Sequence, residues 1–392
     1  MPDINVGTFI STEEPVADEK VVDMDPKMRL LDPDQTQFTT MTSRMPSRAA
    51  TREKVNWLEE QYVNNVFTVG TGGAAGATSI VLSPTSDAAS VKPGDILRDM
   101  TTGEAILVTA VVVGTGTLTI VRSVGSVPAA TITAAEKLLF IGSSFEQGAS
   151  LPDPKYSQRV LGFNYTQIFR TSWTFAGTTT AIELYGGREP AKEAARKAVE
   201  HKRELEQNGF FGARDFYTTG TGPQGSAGGL IEFITSNKQD VNGELTSDFL
   251  DLFLATVLAK GSSDKVIFCG TVAAYYISRF HRSGQGAFWK PSRENVHGVK
   301  VDGFLSGVFG YEIPVVVKKE WANLPSGDNG YNGDLFVVDM SNVEKRPLRD
   351  RSTALLNNRQ NPGDDRTASE YLTEQTWVVA QEKTHGLLTG IS

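Results

Sequence analysis

The chain has 392 residues, 39% of them hydrophobic and 21% charged; these are ordinary values for a protein able to bury cores, and at ~150 residues per domain they imply two or three domains. Lys and Arg number 38 against 46 Asp and Glu, a net charge of −8, which disfavours a dedicated nucleic-acid binder because such binding rests on neutralising phosphates. No run approaches the roughly 18 apolar residues of a membrane span, and the acidic, polar start "MPDINVGTFISTEEPVADEK" reads as neither a secretory signal nor a transit peptide, so a cytoplasmic protein is expected.

Residues 1–50 read as an arm: prolines at 15, 26, 33 and 46 interrupt it and no period is sustained. Alone it buries too little apolar surface to offset its ordering entropy, so its order is expected to depend on something outside it, most simply a neighbouring subunit. "TREKVNWLEEQYVNN" (51–65) reads as a short helix or a helix-to-strand transition. From Val66 to Ile141 the chain turns rich in Val, Ile, Thr, Ala and Gly. Five runs there, "TSIVLS", "DILRDM", "AILVTAVVV", "TLTIVRS" and "KLLFIG", are strand-like, with turns at "KPGD", "TTGE" and "GTGT". Short strands so spaced predict a small antiparallel barrel or sandwich inserted into something larger.

"FNYTQIFRTSWTFAGT" (163–178) carries aromatics on one parity and predicts a long strand with one packed face. "GREPAKEAARKAVEHKRELEQNGF" (187–210) is the best helix, with Pro190 in its first turn and Gly209 as its stop. Glu193–Lys197 and Lys202–Glu206 have the spacing of ion pairs, and Ala191, Ala194, Ala195, Ala198 and Leu205 form a narrow stripe fit to lie against a sheet. Beyond it, 247–261 and 271–281 read as helices; "KVIFCG", 297–319, "GDLFVVDM" and 370–391 read as strands.

Little chemistry is signalled. "GTGPQG" (220–225) has the spacing of a dinucleotide cradle, but no buried strand precedes it and Pro223 removes a donor where donors are wanted. It reads instead as a flexible glycine link. His201, His281, His297 and His385 are never paired at helical spacing, and no serine sits in G-x-S-x-G. The single cysteine, Cys269, reads as a small buried hydrophobe. No cofactor and no metal are expected. The segment 278–300 interleaves Arg279, Arg282, Lys290, Arg293 and Lys300 with Phe288 and Trp289, a mixture suited to a subunit contact or to single-stranded nucleic acid; the acidic chain favours the former.

The order of parts, with the wording of "NYTQIFRTSWTFAGTTTAIELYGGREPAKEAARKAVEHKRELE" (164–206), "GGLIEFI" (228–234) and "EYLTEQTWVVAQEKTHGLLTGI" (370–391), resembles the major capsid proteins of tailed double-stranded DNA bacteriophages, in their SU-ten-like branch. The resemblance implies an α+β, Hong Kong 97-type fold. Residues 1–50 would be the N-terminal arm, and 51–180 an extended loop carrying an inserted antiparallel β-barrel at about 66–148. The peripheral domain with its spine helix would take 181–240, the axial domain 241–340, and closing strands of the peripheral domain 341–392. It further implies a structural protein, not an enzyme, forming hexamers and pentamers of an icosahedral shell around packaged DNA, with scaffolding, portal and possible decoration proteins as partners and assembly in the host cytoplasm. Expected assembly contacts are Arg44, Arg48 and Arg52; Glu193, Arg196 and Lys197; and Arg282, Phe288, Trp289, Lys290 and Arg293. An encapsulin-like compartment shell and a carbohydrate-binding virion surface protein are the competing expectations.

Overall fold

The computed structural model describes residues 36–157, 159–182, 189–220, 222–282, 288–296, 299–305, 312–325 and 330–392. The chain divides into two compact units, Met1–Trp57 with Phe163–Ser392, and Leu58–Gly162. The first described element is α1 (Gln37–Arg44), which buries Phe38, Thr39, Met41 and Thr42. This end of the arm is therefore anchored in the chain's own core; residues 1–35 lie outside the described residues. The stretch after it, expected to be a short helix or a helix-to-strand transition, holds the strand β1 (Lys54–Glu59) and no helix. Its only buried residue is Val55, a β-branched residue, and tertiary pairing overrides the weak helical pattern.

The second unit holds a closed barrel of six strands, β2 (Val66–Thr71), β3 (Ser79–Leu82), β4 (Asp95–Asp99), β5 (Ala105–Val112), β6 (Thr117–Val121) and β7 (Lys137–Ser143), in the order β2-β3-β6-β5-β4-β7. The sixth strand, β2, lies outside the five runs that read as strands. Alternate residues point inward, Phe67 and Val69, Ile80 and Leu82, Ile106 and Val108, Leu118 and Ile120, and form a core entirely within the unit. Gly116 closes the β5–β6 turn at φ +69°, where a Cβ would lie 2.9 Å from the Thr85 backbone. Glu104, with no exposed side-chain surface, pairs at 2.6 Å with Arg122 and accepts the Ser123 and Ala130 amides at 2.9 and 3.1 Å.

The chain returns through β8 (Val160–Tyr165), which pairs with β1, and β9 (Gln167–Ala176). The expected aromatic strand is thus two strands, and Phe169, Trp173 and Phe175 share the less exposed face of the second. A short helix α2 (Gly177–Ala181) precedes α3 (Glu189–Phe211). The latter runs through Gly209 and ends before Gly212. Gly209 is there for space: a Cβ would meet Phe38 Cε1 at 2.6 Å. The alanine stripe is only partly covered, with Ala191 and Ala195 exposed, and the helix buries chiefly His201, Leu205, Glu206, Gly209 and Phe210.

β10 (Asp215–Thr219) and β11 (Gly222–Ser226) form an antiparallel hairpin. Of "GTGPQG", Gly220 sits at φ +63° just past the end of β10, Thr221 lies outside the described residues and Gly222–Gly225 belong to β11, so the expected flexible link falls in a hairpin. After α4 (Leu230–Phe233) and β12 (Lys238–Gly243) come α5 (Ser247–Leu258), β13 (Lys265–Cys269), α6 (Thr271–Arg282), β14 (Phe288–Val296), β15 (Val299–Leu305), β16 (Glu312–Val317) and β17 (Leu335–Asp339). Strands β18 (Val343–Pro347), β19 (Ala354–Leu356), β20 (Arg366–Val379) and β21 (Gly386–Ile391) complete the chain.

A seven-stranded mixed sheet, β12-β21-β17-β13-β16-β15-β14, is covered on both faces. Ile267, Cys269, Leu335 and Val337 pack against residues of α5 and α6, while Val266, Phe268, Phe336 and Val338 pack against Phe38, Phe210 and Trp377. Double coverage is why "KVIFC" and "LFVV" are uninterrupted apolar runs. The second sheet is built on β20, with β18 and β19 along one edge and β9 along the other in a ten-residue register from Arg366↔Ala176 to Gln375↔Gln167.

Candidate assembly surfaces

Helix α1 is held by a buried ion pair. Glu206, on α3, accepts the Phe38 amide at 2.9 Å, the Thr39 amide at 2.6 Å and the Lys318 ammonium at 2.5 Å. A carboxylate there satisfies the unpaired N–H groups of the first turn of α1 and complements the helix dipole. Phe38 follows into an aromatic cluster, with ring centroids 4.9 Å from Phe210, 5.1 Å from Trp377 and 5.6 Å from Phe268. Glu206 therefore does not make the surface pair with Lys202 that its spacing suggested; it faces the core, where Lys318 claims it.

Of the expected contact residues, Arg44 ends α1 and is exposed, as are Arg48 and Arg52. The Arg48 amide donates to Glu344 Oε1 at 2.7 Å, and Arg346 grips the other oxygen of that carboxylate. Glu193, Arg196 and Lys197 form a ladder with Glu200 along α3: Lys197–Glu200 at 2.5 Å, Arg196–Glu200 at 3.3 Å, Arg196–Glu193 at 3.7 Å and Lys197–Glu193 at 3.9 Å. The shortest link is with Glu200, a residue outside the expected set, whose carboxyl is held below its ordinary range chiefly by the Lys197 hydrogen bond. Its spacing from Arg196 and Lys197, four and three residues along one helix, is the signal that could have found it. Arg282 ends α6, and Phe288, Trp289, Lys290 and Arg293 lie on β14, at one edge of the seven-stranded sheet. Their side chains lie outside the described residues. The structure thus spreads the three groups over separate elements.

Apolar exposure marks further surface. In the second unit Tyr62 is fully exposed, Leu151 95% and Tyr156 76%. In the first, every residue of β10 is exposed, and Phe216 leans on Tyr165 with centroids 5.3 Å apart. Solvent-facing aromatics of this size mark interaction surface more often than scattered aliphatics do.

Three further buried polar groups, Lys265, His385 and His201, are tied into the scaffold. Lys265 donates to the Thr384 carbonyl at 2.6 Å with Asp339 at 3.7 Å, and His385 Nδ1 accepts the Asp339 amide at 3.1 Å. Burial pushes the His385 imidazole down to about 4, so it stays neutral, and pushes the Cys269 thiol up to about 12. His201 is bracketed by Thr171 and Thr373 hydroxyls at 2.8 and 2.7 Å. Each ring is saturated by local partners, so these groups brace strands and helix. Among the described residues, no three His, Cys, Asp or Glu side chains are grouped to hold a metal, and no helix is long and apolar enough to cross a membrane.

The fold, an inserted barrel and an α+β body with a long helix against a sheet, is that of Hong Kong 97-type capsid proteins. It is similar to the capsid of a native GTA particle, with a TM-score of 0.52 at 10% identity over 98% of this chain and all of that one. The model of the SU10 major capsid protein family matches residues 5–392, and the chain belongs to that family. Its sequence is also 30% identical over 167 residues to the major capsid protein of Pseudomonas phage PaMx41, a match spanning 40% of each protein. A weaker likeness, TM-score 0.42 at 10% identity over 60% of this chain and 78% of the other, is to the holo-SrpI encapsulin complex of Synechococcus elongatus PCC 7942; at that level it carries no argument for a compartment shell.

Proposed function

We propose that this chain is the structural subunit of a tailed-phage head, assembling with copies of itself into hexamers and pentamers of an icosahedral shell around packaged double-stranded DNA. The family match over residues 5–392 carries this reading. In that role residues 1–50 act as the arm and 51–180 as the extended loop with its barrel. Residues 181–240 and 341–392 form the peripheral domain around α3, and 241–340 the axial domain. Scaffolding and portal proteins are its partners during assembly in the host cytoplasm, and the work is structural rather than catalytic. A net charge of −8 suits a wall that encloses DNA without trapping it. The barrel acts as a built-in clamp between neighbours, in place of a separate decoration protein.

The test is to express the full chain with and without a scaffolding protein and view it by negative-stain microscopy. Closed shells of uniform size are expected. A chain that stays monomeric even with the scaffold supplied overturns the reading, and particles filled with a protein cargo instead of DNA in the native context move it to a compartment shell.

A further inference from the structure

A cavity of about 390 Å³ lies where α1, α3, β18 and β20 meet, with Thr36, Ser43, Ala198, Leu205, Thr353 and Tyr371 among its walls. Its charged lining is wholly basic: Arg44 from α1, Lys202 from α3 and Lys345 from β18, beside the His201 ring. No carboxylate lines it, and among the described residues none of these three cations is ion-paired. Lys345 is the telling member. Half-buried on a strand, it reaches only a neutral oxygen, Ser43 Oγ at 3.4 Å. Burial holds its ammonium below the ordinary lysine range, and its charge adds to the burial that lowers His201. Elsewhere among the described residues, three cations removed from water each have a carboxylate partner: Lys318 has Glu206, Arg122 has Glu104 and Lys155 has Asp95. An unpaired buried cation is costly unless an anion completes it.

We propose that this cavity is a binding site for a phosphate-type oxyanion, with Lys345 as its central cation and Arg44 and Lys202 as its flanking ones. Three cations from three elements, with the Thr353 hydroxyl, suit a tetrahedral anion with several acceptor oxygens better than a planar carboxylate with two. The volume is at the small end of ligand sites and leaves room for a short ester substituent. The anion is either free phosphate or the phosphate of a nucleic-acid backbone.

Isothermal titration of inorganic phosphate into the full chain, at constant ionic strength, is expected to give one saturable site per chain. Lys345→Gln should weaken it about tenfold, while the exposed-site control Lys260→Gln leaves it unchanged. Absence of saturable binding, or equal weakening by both variants, overturns the proposal. So does succinate binding as tightly as phosphate. A short DNA duplex that displaces phosphate and loses affinity in Lys345→Gln assigns the anion to nucleic acid; phosphate binding that the duplex leaves undisturbed assigns it to the free ion. Without anion, Lys345→Gln should melt at or above the parent temperature, since an uncompensated charge has been removed. A lower melting temperature makes Lys345 a structural cation and sinks the site.

Discussion

Glu206 does at one point what usually takes several residues: it caps a helix, neutralises a buried lysine and joins segments 168 residues apart. Glu206→Gln leaves Lys318 charged in the interior, and losing one member of a buried pair costs about 3–5 kcal/mol. Urea unfolding of the unassembled chain should register that loss, and Glu206→Gln with Lys318→Met should recover most of it. Gly209 is the companion feature. With the Phe38 ring 2.6 Å from where a Cβ would sit, Gly209→Ala should destabilise by about 1–3 kcal/mol through overpacking, despite alanine's better helix propensity. Phe38→Leu in the same chain should relieve the clash, so the two changes together should cost less than the sum of each alone; additive losses would mean that the ring does not set the residue. Neither role was legible locally. Glu206 follows Lys202 at an ordinary pairing distance, and a glycine near a helix end reads as a stop, because the residues that reassign both lie far along the chain.

At the scale of elements, the barrel was readable because strand runs and turn residues alternate over short distances, and the β2–β3, β4–β5 and β5–β6 pairs join strands consecutive in the chain; its closure through β3–β6, β4–β7 and β2–β7 was not. Its hidden feature is the charge inside. The Arg122 hydrogen bond pulls the Glu104 carboxyl from 4.5 down to about 2. A depressed acid contributes stability that is whole above its unfolded pKa and lost as pH falls through its folded one. Glu104 should therefore stabilise the barrel fully above about pH 4.5 and lose that contribution towards about pH 2, an effect of about 3 kcal/mol. Circular-dichroism melts of the parent and Glu104→Gln across pH 7 to 2 should show a gap that closes in this window; a gap independent of pH would remove the ion pair as its cause. The hairpin at 215–226 reads as a loose link because glycine spacing records where the backbone bends. It does not say whether the flanking residues pair across the bend.

For the whole molecule, the division into two units bears on assembly. The barrel core draws on no residue outside Leu58–Gly162, so deleting 66–148 with a short linker should leave the rest of the chain folded. If the barrel clamps neighbours, shells of the shortened chain should form but disassemble at lower temperature than the parent, read by light scattering on heating. Shells of unchanged stability would remove that role while leaving the capsid reading in place.

What the amino-acid sequence determined by itself is what local physics controls: the doubly apolar strands 265–269 and 335–339, helices α5 and α6, the charged helix from Glu189, and the turn-rich barrel. Each announces itself within a few residues through period, β-branching or a stop signal. Its family wording likewise pointed to the capsid class. Only the tertiary structure decided which residues are partners. It turned Glu206 inward, seated Phe38 over Gly209, made 54–59 a strand by pairing it with 160–165, and gathered Arg44, Lys202 and Lys345 round one cavity. Those outcomes depend on groups brought together by chain closure, and no local pattern encodes a contact whose other half lies more than a hundred residues away.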